Sequence, residues 1–174
     1  MLDPFSSPFQ KEQALASRAP VSVLFVCHGN ICRSTMAQSI MGHLVREAGE
    51  EGLWTIDSAA TSTEEIGNPP HPGTVAELAR HGIPCVPHRA RRMRADELGD
   101  WDLVVYMDGE NLRGLRRILG PAADDAGRVR PLLSFADTAY TRGRTDVADP
   151  WYTGDFEATF RDVYEGCKGM LSRG

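Results

Sequence analysis

Val21-Ser22-Val23-Leu24-Phe25-Val26-Cys27-His28-Gly29-Asn30-Ile31-Cys32-Arg33-Ser34 is the stretch on which the reading of this chain turns. Its first six residues form a mostly apolar, β-branched run of strand length, as expected for a strand buried on both faces. From Thr35 to Ala48 the apolar residues Met36, Ile40, Leu44 and Ala48 recur at intervals of four, and Gly49 follows as a stop. That pattern predicts a helix. Between strand and helix lies an eight-residue loop, Cys27 to Ser34. A loop in this position can aim several backbone N–H groups at an anion, and the helix behind it adds the positive end of its dipole. Gly29 offers backbone conformations that other residues resist. Arg33 offers a planar, permanently charged fork for two phosphate oxygens. The same field should stabilise a thiolate at Cys27 and make it a nucleophile at neutral pH. Ser34 is placed to donate to that sulfur.

The spacing of Cys and Arg is not by itself specific, because it occurs three times, at Cys27/Arg33, Cys85/Arg91 and Cys167/Arg173. Only the first pair follows a buried strand, includes a glycine and opens a helix. Cys27 and Cys32 lack the second Cys/His pair that a structural zinc site needs. Neither a Walker-type loop nor a three-glycine dinucleotide fingerprint is present.

Outward from this loop, strands are expected at Trp54 to Ala60, Asp102 to Met107 and Val129 to Leu133. Helices are expected at Pro72 to His81 (with Val75, Leu78 and Ala79 on one face), Glu110 to Leu119 and Asp155 to Leu171. Strands alternating with helices imply an α/β fold: a doubly wound, mainly four-stranded parallel sheet with helices on both faces. Ligands in such folds bind beyond the carboxyl ends of the strands, near a switch in strand order. Cys27 is in the right place for this. A second candidate segment is Asp149-Pro150-Trp151-Tyr152. Pro150 holds Asp149 extended, and two aromatics beside a carboxylate suggest a pocket wall with an acid at its rim. Taken alone, the segment reads better as a turn before a helix with both aromatics in the core.

The chain has 174 residues, 41% hydrophobic and 25% charged, with a net charge of -5. One domain is expected over 21–174, preceded by a loosely ordered extension, 1–20, in which residues around Lys11 to Arg18 can form a short helix. The negative charge argues against a nucleic-acid partner, although 17 of the 19 basic residues are Arg. No apolar run is long enough to span a bilayer, no secretory signal is expected, and four irregularly spaced cysteines point to reduced thiols in a cytoplasmic setting.

The ordered set of segments resembles the low-molecular-weight protein tyrosine phosphatases. It runs from Val23 to Ser34, then Asp57-Ser58-Ala59-Ala60-Thr61-Ser62, Gly67-Asn68-Pro69-Pro70, His81-Gly82-Ile83 and His88-Arg89-Ala90-Arg91. Met107-Asp108, Asn111-Leu112-Arg113, Asp149-Pro150-Trp151-Tyr152 and Asp155-Phe156-Glu157 complete it. The resemblance implies a cysteinyl-phosphate intermediate on Cys27, phosphoryl binding by Arg33 and the loop from His28 to Ser34, and general-acid help from Asp149. It implies that Asn30, Ser34, Ser58 and His88 form a network shaping the loop, and that Ile31, Trp151 and Tyr152 line a slot for an aromatic ring. It also implies a reversible disulfide between Cys27 and Cys32, a phosphotyrosine-containing protein substrate, no cofactor or metal, and a monomer or weak homodimer. Three positions depart from the family pattern: Thr35 replaces a usual proline, His28 an apolar residue, and Glu64 an aromatic one on the pocket wall. Protein-arginine dephosphorylation and arsenate reduction are the alternatives on the same fold. Ile31 rather than Thr weighs against the first, and the lack of a cysteine near Cys85 against the second.

Overall fold

The structure, a computed structural model, describes residues 19–173. The expected extension and its short helix lie almost wholly outside the described residues. Four strands, β1 (Val21–Cys27), β2 (Trp54–Ala60), β3 (Leu103–Tyr106) and β4 (Val129–Pro131), form one parallel sheet in the order β2-β1-β3-β4. The period-2 alternation of a strand decides the two cores. Val23, Phe25 and Cys27 point to one face, where they meet α1 (Arg33–Ala48), α2 (Pro72–Arg80) and α6 (Phe156–Leu171). Leu24 and Val26 point to the other and meet the face carrying α3 (Gly109–Leu119). Two four-residue helices, α4 (Thr138–Thr141) and α5 (Pro150–Thr153), complete the set. The doubly wound α/β architecture expected from the sequence is present.

Several local expectations need correction. Helix α1 begins at Arg33 rather than Thr35, because the loop tightens directly into the helix. Thr35 is buried and its hydroxyl donates to the Cys32 carbonyl at 2.9 Å, so the position usually held by proline carries a side chain that bonds backward instead. Ala48 is exposed, and the buried face of α1 is completed by Ala37, Met41 and Val45. On α2 the inward residues are Thr74, Glu77 and Leu78, whereas Val75 and Ala79 are exposed. Strand β4 stops at Pro131, and Leu132–Ser134 turns as a 3₁₀ segment. Asp102 lies just outside β3, where its carboxylate accepts from the Ser22 amide and hydroxyl, each at 2.8 Å.

Helix α6 closes the fold by approaching the Leu132–Ala136 segment at two glycines. A Cβ on Gly169 would collide with the Phe135 carbonyl, and one on Gly166 with the Leu132 side chain. By contrast, Gly42 on α1 has open space around it. Gly169→Ala is therefore expected to cost about 1–3 kcal/mol of stability through overpacking, and Gly42→Ala to gain about 0.5–1 kcal/mol. Denaturant unfolding of the two variants checks the difference in sign.

Candidate active site

Strand order reverses at β1, with β2 on one side and β3 on the other. The loops leaving β1 and β3 therefore lie side by side at the carboxyl edge, and the site is built there. The loop 28–32 carries one residue in the left-handed region, and it is Asn30 (φ 59°), not Gly29. Asn tolerates this conformation better than most residues, and here the whole polar capacity of its side chain is used. Its Oδ1 accepts from the Arg91 amide at 3.0 Å and from His88 Nε2 at 2.7 Å. Its Nδ2 donates to Ser34 Oγ and Ser58 Oγ, both at 2.9 Å. Gly29 allows a close approach instead: a Cβ there would stand 3.1 Å from Glu65 Cγ, and that side chain would have to shift slightly.

The bonds of Asn30 fix the direction of the whole network. The Arg91 amide can only donate, so the atom it meets is the amide oxygen, and His88 must carry its proton on Nε2. Burial lowers the pKa of His88, which keeps it neutral. Ser34 Oγ accepts from Asn30, so its own proton is free to point at Cys27 Sγ, 3.1 Å away. The Asn30 amide also donates to this sulfur at 3.3 Å. Ser58, in turn, donates to Gln38 Oε1 at 2.7 Å, away from Ser34. Cys27 is buried, and two donors converge on its sulfur.

Arg33 is 2% exposed despite its charge. Burial disfavours that charge, but the negative charges of Cys27, Asp108 and Asp149 more than offset it and raise its pKa. Nη1 donates to Asp108 and, at 3.1 Å, to the Val147 carbonyl; Nη2 donates to Asp149 Oδ2 at 2.6 Å. Asp149 is extended (φ -86°, ψ 113°), as expected before proline. Its other oxygen caps α5 by accepting from the Trp151 amide at 3.1 Å. Of the alternative reading of this segment the turn into a helix holds, but the core packing fails, because Trp151 and Tyr152 are 59% and 85% exposed. Both line a pocket of about 100 Å³ with Cys27, His28, Gly29, Ile31, Cys32, Arg33, Glu64, Glu65 and Asp149. That volume is small beside the roughly 300–1,000 Å³ of sites for drug-sized ligands. It suits a phosphoryl group with the end of its substituent.

The expected site residues thus fall together, with Ser34, Ser58, Asn30 and His88 behind the pocket rather than lining it. His28 and Glu64 pair across the rim at 3.0 Å. Burial, with repulsion from Cys27, pushes the Cys32 thiol up to about 12, so it stays protonated. Sequence reasoning does not single out three further contributors as site residues. Asp108 holds Arg33 while its other oxygen caps α3 by accepting from the Asn111 amide at 2.8 Å. Gln38 terminates the serine chain. Arg91 holds Asn30 through its backbone, while its side chain is pinned by Asp57 at 2.9 Å and Glu97 at 3.1 Å. An Asp three residues before an Asn directly after a strand is a legible helix cap, and it is a local signal that points at Asp108. Among the described residues no group of three or more His, Cys, Asp or Glu side chains is arranged to hold a metal ion, and no helix is long and apolar enough to cross a membrane.

Comparison with known proteins points to one family. The profile described as low molecular weight phosphotyrosine protein phosphatase matches residues 22–173. The chain is 40% identical over 152 residues to the low molecular weight protein-tyrosine-phosphatase YfkJ of Bacillus subtilis, covering 87% of this chain and 94% of that protein. The crystal structure of YfkJ superposes with a TM-score of 0.82 at 38% identity, covering 90% of this chain and 96% of that one. A Drosophila arginine phosphatase structure, DARP, superposes with a TM-score of 0.74 at 29% identity, covering 87% and 96%.

Proposed function

The chain belongs to the low molecular weight phosphotyrosine protein phosphatase family, and we propose that it hydrolyses phosphotyrosine in proteins through Cys27, Arg33 and Asp149. The observation that carries the assignment of roles is that these three side chains face one small pocket whose sulfur is met by two hydrogen-bond donors. In the first step the Cys27 thiolate attacks phosphorus. The P–O bond to the aryl oxygen breaks, its electron pair stays on that oxygen, and Asp149 protonates it. In the second step the Asp149 carboxylate takes a proton from water. The water oxygen attacks phosphorus, the P–S bond breaks, and the thiolate is restored.

Arg33 links the two events. Its fork donates to Asp149 in the structure, and an arriving phosphoryl group competes for the same donors. Substrate binding therefore loosens Asp149 from Arg33, so that the carboxylate can take up a proton from solvent and deliver it to the leaving oxygen. Asp108 and the Val147 carbonyl stay as the fixed side of the arginine's socket.

The other thiols do not enter the reaction. Cys167 is fully buried in α6, and Cys85 lines a separate groove with Pro69, Pro70 and Val86, so neither can relay a disulfide from Cys27 as arsenate reduction requires. Cys32 is the thiol proposed to close a disulfide on an oxidised Cys27. Its burial favours the protonated thiol, which slows that step. The four free thiols fit a reducing, cytoplasmic setting.

Phosphoarginine is the competing substrate, given the similarity to DARP. Ile31 is buried against Cys32, Ala90 and Phe156. It offers a ring apolar contact and gives a guanidinium no hydrogen bond. The expected result is a higher kcat/KM for phosphotyrosine than for phosphoarginine in peptides of matched sequence, and a shift toward phosphoarginine in Ile31→Thr. A tenfold advantage for phosphoarginine in the wild type would overturn the substrate while leaving the cysteine chemistry standing.

A further inference from the structure

The rim of the Cys27 pocket is unevenly charged. Glu64 and Glu65 line one side, and Trp151 and Tyr152 line another. Glu65 is seated against the phosphate loop: its Cγ lies 3.1 Å from where a Gly29 Cβ would stand, and its Oε2 accepts from Asn68 Nδ2 at 2.6 Å. Glu64 is held by His28, and both are more than half exposed. Among the described residues, the large exposed hydrophobic side chains are Ile66, Val75, Trp151 and Tyr152. Two of these line the pocket, and Ile66 follows Glu65 in the chain. Among the described residues, the only Lys or Arg lining the pocket is Arg33, which is buried and already engaged by Asp108 and Asp149. Phosphate is therefore drawn in at the bottom of the well, while the surface a peptide crosses to reach it carries carboxylates and open aromatic faces.

Resting on the phosphotyrosine reading of this site, we infer that the rim selects peptides with Lys or Arg beside the phosphotyrosine and disfavours those flanked by Asp or Glu. The carboxylates attract a cationic side chain, and an exposed indole or phenol ring offers it a second favourable face. An acidic flank meets two carboxylates, and among the described residues no Lys or Arg besides the buried Arg33 lines the pocket to receive it. His28 does not reverse this sign: even when charged, it balances Glu64 alone and leaves Glu65. A basic flank also offsets the repulsion between these carboxylates and the incoming phosphate, so the preference acts on capture of the substrate and is read in kcat/KM.

The test uses phosphotyrosine peptides identical except for Lys, Gln or Glu at the two positions on each side, with an aryl phosphate lacking any peptide as a fourth substrate. The Lys peptide is expected to exceed the Glu peptide in kcat/KM by about tenfold at low ionic strength. The ratio should shrink toward about twofold near 1 M salt, where the screening length is about 3 Å. In a Glu64→Gln, Glu65→Gln double variant the low-salt ratio should fall to about twofold or less. Equal rates for the Lys and Glu peptides, or a preference for Glu, would overturn the inference. So would a tenfold ratio that survives in the double variant, since the selection would then lie off the rim. Failure of the wild type to hydrolyse even the aryl phosphate would count against the phosphatase reading itself and is distinguished by that arm.

Discussion

Replacing Cys27 by serine is expected to lower the turnover of aryl phosphates by a factor on the order of 10⁴ or more. A serine hydroxyl is not ionised near neutral pH, and the donors that meet the sulfur, the Asn30 amide and the Ser34 hydroxyl, serve an anion. The change is nearly isosteric, and Cys27 sits at the last position of β1, so the fold should hold. Arg33 and the loop amides are untouched, and binding of a phosphotyrosine peptide should persist while chemistry stops. Steady-state kinetics and peptide binding on the same preparation separate the two. Substantial turnover by purified Cys27→Ser protein would end the proposed mechanism. Turnover and binding lost together would point to a collapsed loop instead.

Asp149→Asn is expected to slow the enzyme by about 10²–10⁴-fold on aryl phosphates with poor leaving groups and far less on those with good ones. A leaving phenolate that is already stable needs no proton from the enzyme. Asparagine keeps an oxygen to cap α5 through the Trp151 amide, so the segment should stay in place. It loses the carboxylate that pairs with Arg33 and supplies the proton. A series of aryl phosphates graded by leaving-group basicity provides the measurement. An equal loss across the series would make Asp149 a partner of Arg33 and nothing more.

Both experiments probe residues that are legible in the amino-acid sequence, for different reasons. Cys27, Arg33 and Ser34 belong to a contiguous strand–loop–helix unit whose chemistry is set by local backbone geometry, and hydrophobic periodicity alone places them. Asp149 is marked by the proline after it, but residue types do not decide between a core turn and a pocket wall. The exposure of Trp151 and Tyr152 decides that. Gly29 and Asn30 show the limit even inside the motif. Glycine is the natural choice for an unusual backbone conformation, yet the left-handed residue is Asn30, because four hydrogen bonds of its side chain, three of them to other segments, stabilise it there.

Periodicities of two and of about 3.6 residues, with the chemistry of neighbours in the chain, suffice for the alternation of strands and helices. The parallel α/β fold and the anion-binding loop at the end of β1 follow from them. The remote groups that complete the site are settled by tertiary structure instead. The order β2-β1-β3-β4 sets the end of β3 beside the end of β1, and this brings Asp108 to Arg33 across 75 residues. Nothing local marks Gln38 or Arg91 for the network behind Cys27. Arg91 matches the Cys–Arg spacing of the phosphate loop, yet its part is to present a backbone N–H to Asn30 while Asp57 and Glu97 hold its side chain. Such partners are chosen by strand order and packing, which bring together residues whose separation along the chain carries no information about their separation in space.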